Sequence, residues 1–198
     1  MLKIGVTGSI GSGKTTVCRI FETLGIPIYY ADNRGKYLLQ NNENVKATVL
    51  AAFGEGICAP GHIINRALLA EMVFNDPAKL AALENIVHPA VLEDFTNWYA
   101  SQKSPYIVKE AALLFEAGTY KDLDKVITVS APLDIRVQRV IARNQTSREQ
   151  VLARESRQWP EGKKIEMADF VIYNNEQQML APQVLELHKL FLSLQNGQ

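Results

Sequence analysis

Residues 8–15 read Gly8-Ser9-Ile10-Gly11-Ser12-Gly13-Lys14-Thr15, an uninterrupted G-x-x-x-x-G-K-[ST] pattern, and no other stretch limits the possible folds as sharply. The pattern has physical meaning only between a strand and a helix. Both flanks comply. Leu2-Lys3-Ile4-Gly5-Val6-Thr7 reads as a short buried strand. Val17, Ile20, Phe21 and Leu24 recur at helical spacing, and Gly25 stands where that helix should stop. Glycines let a backbone wrap a phosphate with its N–H groups turned inward, and a helix start adds partial positive charge. Gly11, Ser12, Gly13, Lys14, Thr15 and Thr16 are therefore the expected contacts of a bound nucleoside triphosphate. Lys14 is expected at the β- and γ-phosphates and the Thr15 hydroxyl on Mg²⁺. A P-loop of this kind implies an α/β fold.

The rest of the chain narrows that class. Of 198 residues, 47% are hydrophobic and 21% charged, which suits a globular protein with a buried core. The formal net charge is zero, which argues against a nucleic-acid partner, and no apolar run is long enough to span a bilayer. Cys18 and Cys58 are the only cysteines and form no C-x-x-C pair, so free thiols in a reducing compartment are expected. The N-terminus enters a strand directly, without a signal-peptide pattern, and a cytoplasmic enzyme is the expectation.

Ile26, Ile28 and Tyr30 alternate as a second strand ending at Ala31-Asp32-Asn33, and strand C-terminal ends are where open α/β sheets bind ligands. A cap or turn residue before the next helix is the alternative reading of Asp32. Residues 34–103 read as consecutive helices with no strand. Asn42, Asn65 and Asp76-Pro77 are expected to open three of them, and Pro89 to interrupt the last. A βα unit does not need so long a helical stretch, so this is an inserted subdomain that holds a second substrate. Strands resume at Tyr106–Ala111, whose apolar run continues through Leu113-Leu114-Phe115-Glu116. Further strands are expected at Lys125–Ser130 and Phe170–Tyr173. Ser147 and Gln150 form a capping-box pair, and a terminal helix carries Met179, Leu180, Val184, Leu187 and Leu190.

Zero net charge conceals an asymmetry. Between residues 136 and 164, eight basic residues face three acidic ones, a net charge of +5. Taken singly, each arginine reads as part of a solvated face. Taken together, Arg136, Arg139, Arg143, Arg148, Arg154 and Arg157 suit a lid that closes over a polyphosphate and stabilises its charge. A P-loop chain with these parts is a small-molecule kinase, a GTPase switch or an ATPase module. No Asn-Lys-x-Asp guanine motif is present, and the strand at Tyr106 ends in Glu110 rather than Asp. Both facts favour the kinase.

At this point the residues resemble the dephospho-CoA kinase family over nearly the whole chain. The resemblance runs through Val6–Thr15, Phe21 with Leu24-Gly25, Ala31-Asp32, Asn65-Arg66 with Leu69 and Val73-Phe74, and Ile86-Val87-His88-Pro89. It continues through Leu113–Glu116, Arg139, Arg143, Arg154 with Gln158, and Ala168–Ile172 with Asn174. It implies transfer of the ATP γ-phosphoryl group to the ribose 3′-hydroxyl of dephospho-CoA, the last step of coenzyme A synthesis. It further implies that Asp32 and Lys14 are catalytic, that Asp32, Arg66, His88, Arg139 and Arg154 meet the acceptor substrate, and that Arg143 meets ATP. His88 before Pro89 could also serve only to pin a helix junction. Four residues depart from the family pattern: Ser9, Glu110, Arg136 (commonly Gln) and Glu176 (commonly Gly).

The expected architecture is thus a P-loop three-layer α/β fold with a parallel sheet of five strands. Its nucleotide core spans 1–33, 104–142 and 165–198, a helical acceptor-binding insertion spans 34–103, and a lid spans 143–164. The expected partners are ATP, Mg²⁺ and dephospho-CoA. The runner-up is a nucleoside or nucleotide kinase, and a nucleotide-dependent switch module is the more distant alternative.

Overall fold

A computed structural model describes residues 1–59, 63–74 and 76–196, and the side chains of all of these except Phe74 and Asn196. Phe74, one of the residues carrying the family resemblance, therefore has its side chain outside the described set. The elements run β1 (Leu2–Thr7), α1 (Lys14–Thr23), β2 (Ile28–Tyr30), α2 (Ala31–Asn41), α3 (Glu43–Phe53), β3 (Cys58–Ala59), β4 (Ile63–Ile64), α4 (Arg66–Phe74) and α5 (Pro77–Ala100). They continue with β5 (Tyr106–Glu110), β6 (Lys125–Ser130), α6 (Leu133–Asn144), α7 (Arg148–Glu155), α8 (Glu161–Met167), β7 (Phe170–Tyr173) and α9 (Leu180–Asn196). Two compact units result, one of Met1–Tyr30 with Gln102–Gln198, the other of Ala31–Ser101. Among the described residues, no helix is long and apolar enough to cross a membrane.

The first unit is an α/β unit on a five-stranded parallel sheet in the order β2-β5-β1-β6-β7. β1 pairs with β5 from Leu2↔Tyr106 to Val6↔Glu110, and with β6 from Ile4↔Lys125 to Thr7↔Thr128. Parallel strands covered on both faces are buried at consecutive positions, as β1 is from Ile4 to Thr7 and β6 from Val126 to Ser130. Ile4, Val6, Val108, Ile127, Val129 and Ile172 pack against Val17, Cys18 and Phe21 of α1 and Val184 and Phe191 of α9 in one core. Gly25 (φ 79) ends α1: its N–H bonds Glu22 O, and the Ile26 N–H bonds Phe21 O, a Schellman stop that only glycine adopts cheaply.

The apolar run after β5, Leu113–Glu116, does not extend the strand. It coils into a turn, with the Ala117 N–H bonded to Leu113 O, Leu114 and Phe115 buried and Leu113 exposed. In the terminal helix, Met179 lies before the first turn and is 79% exposed, and Phe191 is the second buried anchor instead.

In the second unit, Leu39, Val45, Val49, Ile57, Ile64, Leu69 and Val73 form a separate core. The expected caps are present. Asn42 Oδ1 accepts from the Val45 N–H at 3.0 Å, Asn65 Oδ1 from Ala67 N–H at 3.1 Å, and Asp76 Oδ1 from Ala78 and Lys79 N–H groups at 3.1 Å each. Two expectations fail here. A strand pair does occur, since β3 and β4 pair antiparallel through Cys58↔Ile64 and Ala59↔Ile63. Two residues per strand are too few to show an alternation in sequence. Pro89 does not break its helix either, because α5 runs unbroken for 24 residues. Ile86, Val87 and Ala90 on either side of Pro89 pack on the same core, and that burial outweighs the hydrogen bond the proline cannot donate.

Candidate active site

The P-loop lies at the sheet's C-terminal edge. β1 ends at Thr7, and the P-loop then turns tightly into α1, with the Ser12 N–H bonded to Ser9 O at 3.1 Å. Gly11 and Gly13 take φ values of 79° and 98°, left-handed conformations that side chains resist. Space is a second constraint. A Cβ on Gly11 would lie 2.4 Å from Arg136 O, and one on Gly13 would lie 2.2 Å from Asn174 Nδ2. Gly13 also occupies the N-cap of α1, where it brings no side chain to cap the first turn. A helix start without a side-chain cap is suited to an anion.

Lys14 Nζ reaches back over the loop, donating to Gly8 O at 2.8 Å and Ser9 O at 3.4 Å. Inside the loop, Ser9 Oγ and Ser12 Oγ are buried with no hydrogen-bond partner among the described residues. Thr15 and Thr16, at the start of α1, are exposed. Beside the loop, Glu110 closes β5, buried and in register with Val6 of β1 and Tyr30 of β2. Its charge is felt locally. Burial first, then Glu110 and Glu22, raise the Cys18 thiol well above its ordinary range, with Lys14 opposing. Burial first, then Cys18, Glu22 and Glu110, raise the Tyr30 phenol.

The arginine-rich segment divides by burial. Arg136 is 3% exposed and donates through Nε to Ala131 O at 2.8 Å, through Nη1 to Glu155 at 2.7 Å, and through Nη1 to the P-loop carbonyl of Ile10 at 3.4 Å. Gln158 accepts from the Ile10 N–H at 2.8 Å, so both backbone polar groups of that loop residue face this segment. Glu116 Oε1 accepts from the Trp159 N–H at 2.8 Å and lies 2.9 Å from the fully buried Lys164 Nζ, an ion pair without hydrogen-bond directionality. Glu116 thus ties the Leu113–Ala117 turn to α8. Arg139 donates through Nη2 to Asn174 and Glu176. Arg143 Nε donates to the neighbouring Asn144 Oδ1 at 3.0 Å, and Arg154 is exposed, with no ion pair to either among the described residues.

The sequence-expected residues therefore fall in two groups. Gly11 to Thr16, Arg139, Arg143 and Arg154 lie in the first unit. Asp32, Arg66 and His88 lie in the second. Asp32 is not the last residue of a strand: it sits exposed in the first turn of α2, which begins directly after β2. Arg66 opens α4 and His88 lies mid-α5, both exposed. Sequence reading gave no role to Gln158 or Asn174, although both contact the P-loop. The available signal was a polar residue directly after the apolar run of β7, at the ligand edge of a parallel sheet. Among the described residues, no cluster of three or more His, Cys, Asp or Glu could hold a metal.

A family model described as dephospho-CoA kinase matches residues 2–179. The dephospho-CoA kinase of Bacteroides fragilis is 35% identical over 187 residues, covering 94% of this chain and 91% of the relative. The crystal structure of TT1252 from Thermus thermophilus matches with a TM-score of 0.88 at 36% identity, covering 96% of this chain and 97% of that one. Dephospho-CoA kinase from Campylobacter jejuni matches with a TM-score of 0.66 at 29% identity, covering 98% of each chain. A phosphate-binding loop on a parallel sheet and a match over nearly the whole length lead to one assignment: the chain belongs to the dephospho-CoA kinase family.

Proposed function

We propose that this kinase moves the γ-phosphoryl group of ATP to the ribose 3′-hydroxyl of dephospho-CoA by the following division of labour. Residues 11–16 cradle the donor phosphates and Lys14 neutralises charge as it develops on them. Asp32 accepts the proton of the attacking hydroxyl. Arg66 and His88, in the 34–103 insertion, bind the acceptor, with Arg139 and Arg154 completing its contacts. Arg143 reaches ATP, and residues 143–164 close as a lid. Phosphoryl transfer asks little covalent chemistry of a protein, so positioning and charge stabilisation carry the rate.

The observation that carries the reading is the loop itself. Its buried Ser9 and Ser12 hydroxyls lack partners among the described residues and its lysine already bonds the loop carbonyls. Arg143 and Arg154, with no acidic partner among the described residues, have charge to offer a phosphate. Mg²⁺ fits as well. It takes one or two protein oxygens and completes its shell with phosphates and water, so no three-residue cluster is required. The exposed Thr15 hydroxyl would hold it, with the Glu110 carboxylate near the loop, and the ion would offset charge on the transferring group. The cytoplasm suits two unpaired thiols.

The test is turnover with ATP and Mg²⁺ against dephospho-CoA and a panel of nucleosides and nucleotides. Phosphorylation of dephospho-CoA is expected; a nucleotide accepted in its place would sink the acceptor assignment. Asp32→Asn is expected to lower kcat by about a hundredfold or more while ATP affinity holds. Near-normal turnover in that variant would remove Asp32 from the role of base.

A further inference from the structure

The Ser12 carbonyl of the P-loop does not face solvent. It accepts a hydrogen bond from Asn174 Nδ2 at 2.8 Å, across 162 residues of sequence. Asn174 is itself held on its other sides. Its N–H bonds Ser130 O at the end of β6, at 2.8 Å. Arg139 Nη2 donates to its backbone O at 3.1 Å and to its Oδ1 at 3.3 Å. Glu176 accepts from the same Arg139 Nη2 at 3.2 Å, and is one of two non-glycine residues at positive φ among those described. The amide orientation follows from chemistry: the guanidinium only donates, so it must meet Oδ1, which leaves the NH₂ for the Ser12 carbonyl.

A trans peptide places its C=O and N–H on opposite sides. Fixing the Ser12 carbonyl outward on Asn174 therefore fixes the Gly13 N–H on the opposite side. The same amide nitrogen sits so close to Gly13 that a Cβ there would approach it to 2.2 Å, so only glycine fits against Asn174 at this peptide. We infer that Asn174 is a positioning residue for phosphate binding: it sets the Ser12–Gly13 peptide, Arg139 orients it, and it acts through the loop rather than on the adenine base. This rests on the proposed role of residues 11–16, not on the identity of the acceptor.

The experiment is calorimetric and needs no turnover, so a wrong acceptor assignment leaves it readable. Full-length wild type, Asn174→Ala and Asn174→Ser are titrated with inorganic tripolyphosphate and, separately, with adenosine. Serine keeps a polar residue at the site but is too short to reach the Ser12 carbonyl. Both variants are expected to bind tripolyphosphate about tenfold more weakly, the scale of one lost hydrogen bond with a displaced donor, and adenosine as wild type does. A loss of adenosine affinity with tripolyphosphate unchanged would make Asn174 a base-reading residue. Unchanged affinity for both ligands, with a lowered melting temperature, would make it part of the scaffold only. Either result overturns the inference.

Discussion

Gln145 sits at φ 51 and ψ 45 just past the end of α6, in the left-handed conformation that closes many helices, with its N–H on Ile141 O at 2.9 Å. Its side chain is exposed and has no bond among the described residues, so nothing offsets the Cβ strain. Gln145→Gly is expected to stabilise the protein by about 1 kcal/mol, read as a higher urea midpoint with an unchanged slope. Single residues were unevenly legible in the sequence. The glycines of the loop announced themselves, because a left-handed φ restricts residue choice locally. What they avoid, the Arg136 carbonyl and the Asn174 amide, was invisible, because those atoms arrive from more than a hundred residues away. Glu116 shows the same limit: its letter matches a motif, but only the fold brings Lys164 and Trp159 to it.

Among elements, α5 carries two expectations. Pro89 lies exposed in mid-helix with no N–H to offer the Asn85 carbonyl. Pro89→Ala is expected to raise stability, by up to about 3 kcal/mol, as measured by denaturant unfolding. A loss of stability would mean that Pro89 relieves a strain which α5 does not otherwise show. At its start, α5 is capped by Asp76, whose carboxyl lies below its ordinary value mainly because it accepts the Lys79 N–H, with the Lys79 side chain adding to this. A depressed aspartate contributes its stability above its unfolded-state pKa and loses it as pH falls through the folded one. The thermal midpoint of Asp76→Ala is therefore expected to lie below wild type at neutral pH and to converge on it below the ordinary aspartate range. Caps were legible because they are local in sequence: Asn42, Asn65 and Asp76 each bond within three residues. The Leu113–Phe115 turn was not, and brevity hid the two-residue strands.

The whole molecule depends on contacts that no local pattern records. Arg136, where the family commonly has glutamine, joins the P-loop, the end of β6 and both α7 and α8 from a buried position, with Glu161 3.9 Å away as a second acidic neighbour. Arg136→Gln leaves Glu155 without its buried partner and is expected to cost about 2 kcal/mol. Amide exchange should quicken in α7 and α8 and stay slow in β1 and β6; uniform quickening would show that the arginine supports the entire sheet rather than this segment. The broad plan was legible, since a P-loop followed by some seventy helical residues and a return to strands already implies an inserted unit. Sheet order was not, because parallel pairing leaves no mark in either partner. That order governs how the chain must assemble during synthesis. β1 leaves the ribosome first, yet it is the middle strand, and both its neighbours, β5 and β6, follow the insertion. Until Tyr106 arrives to face Leu2, the strand that leads into the phosphate loop has two open edges. The Ala31–Ser101 unit is continuous in sequence, so every residue of its core has been synthesised before the sheet's central strand gains its first neighbour.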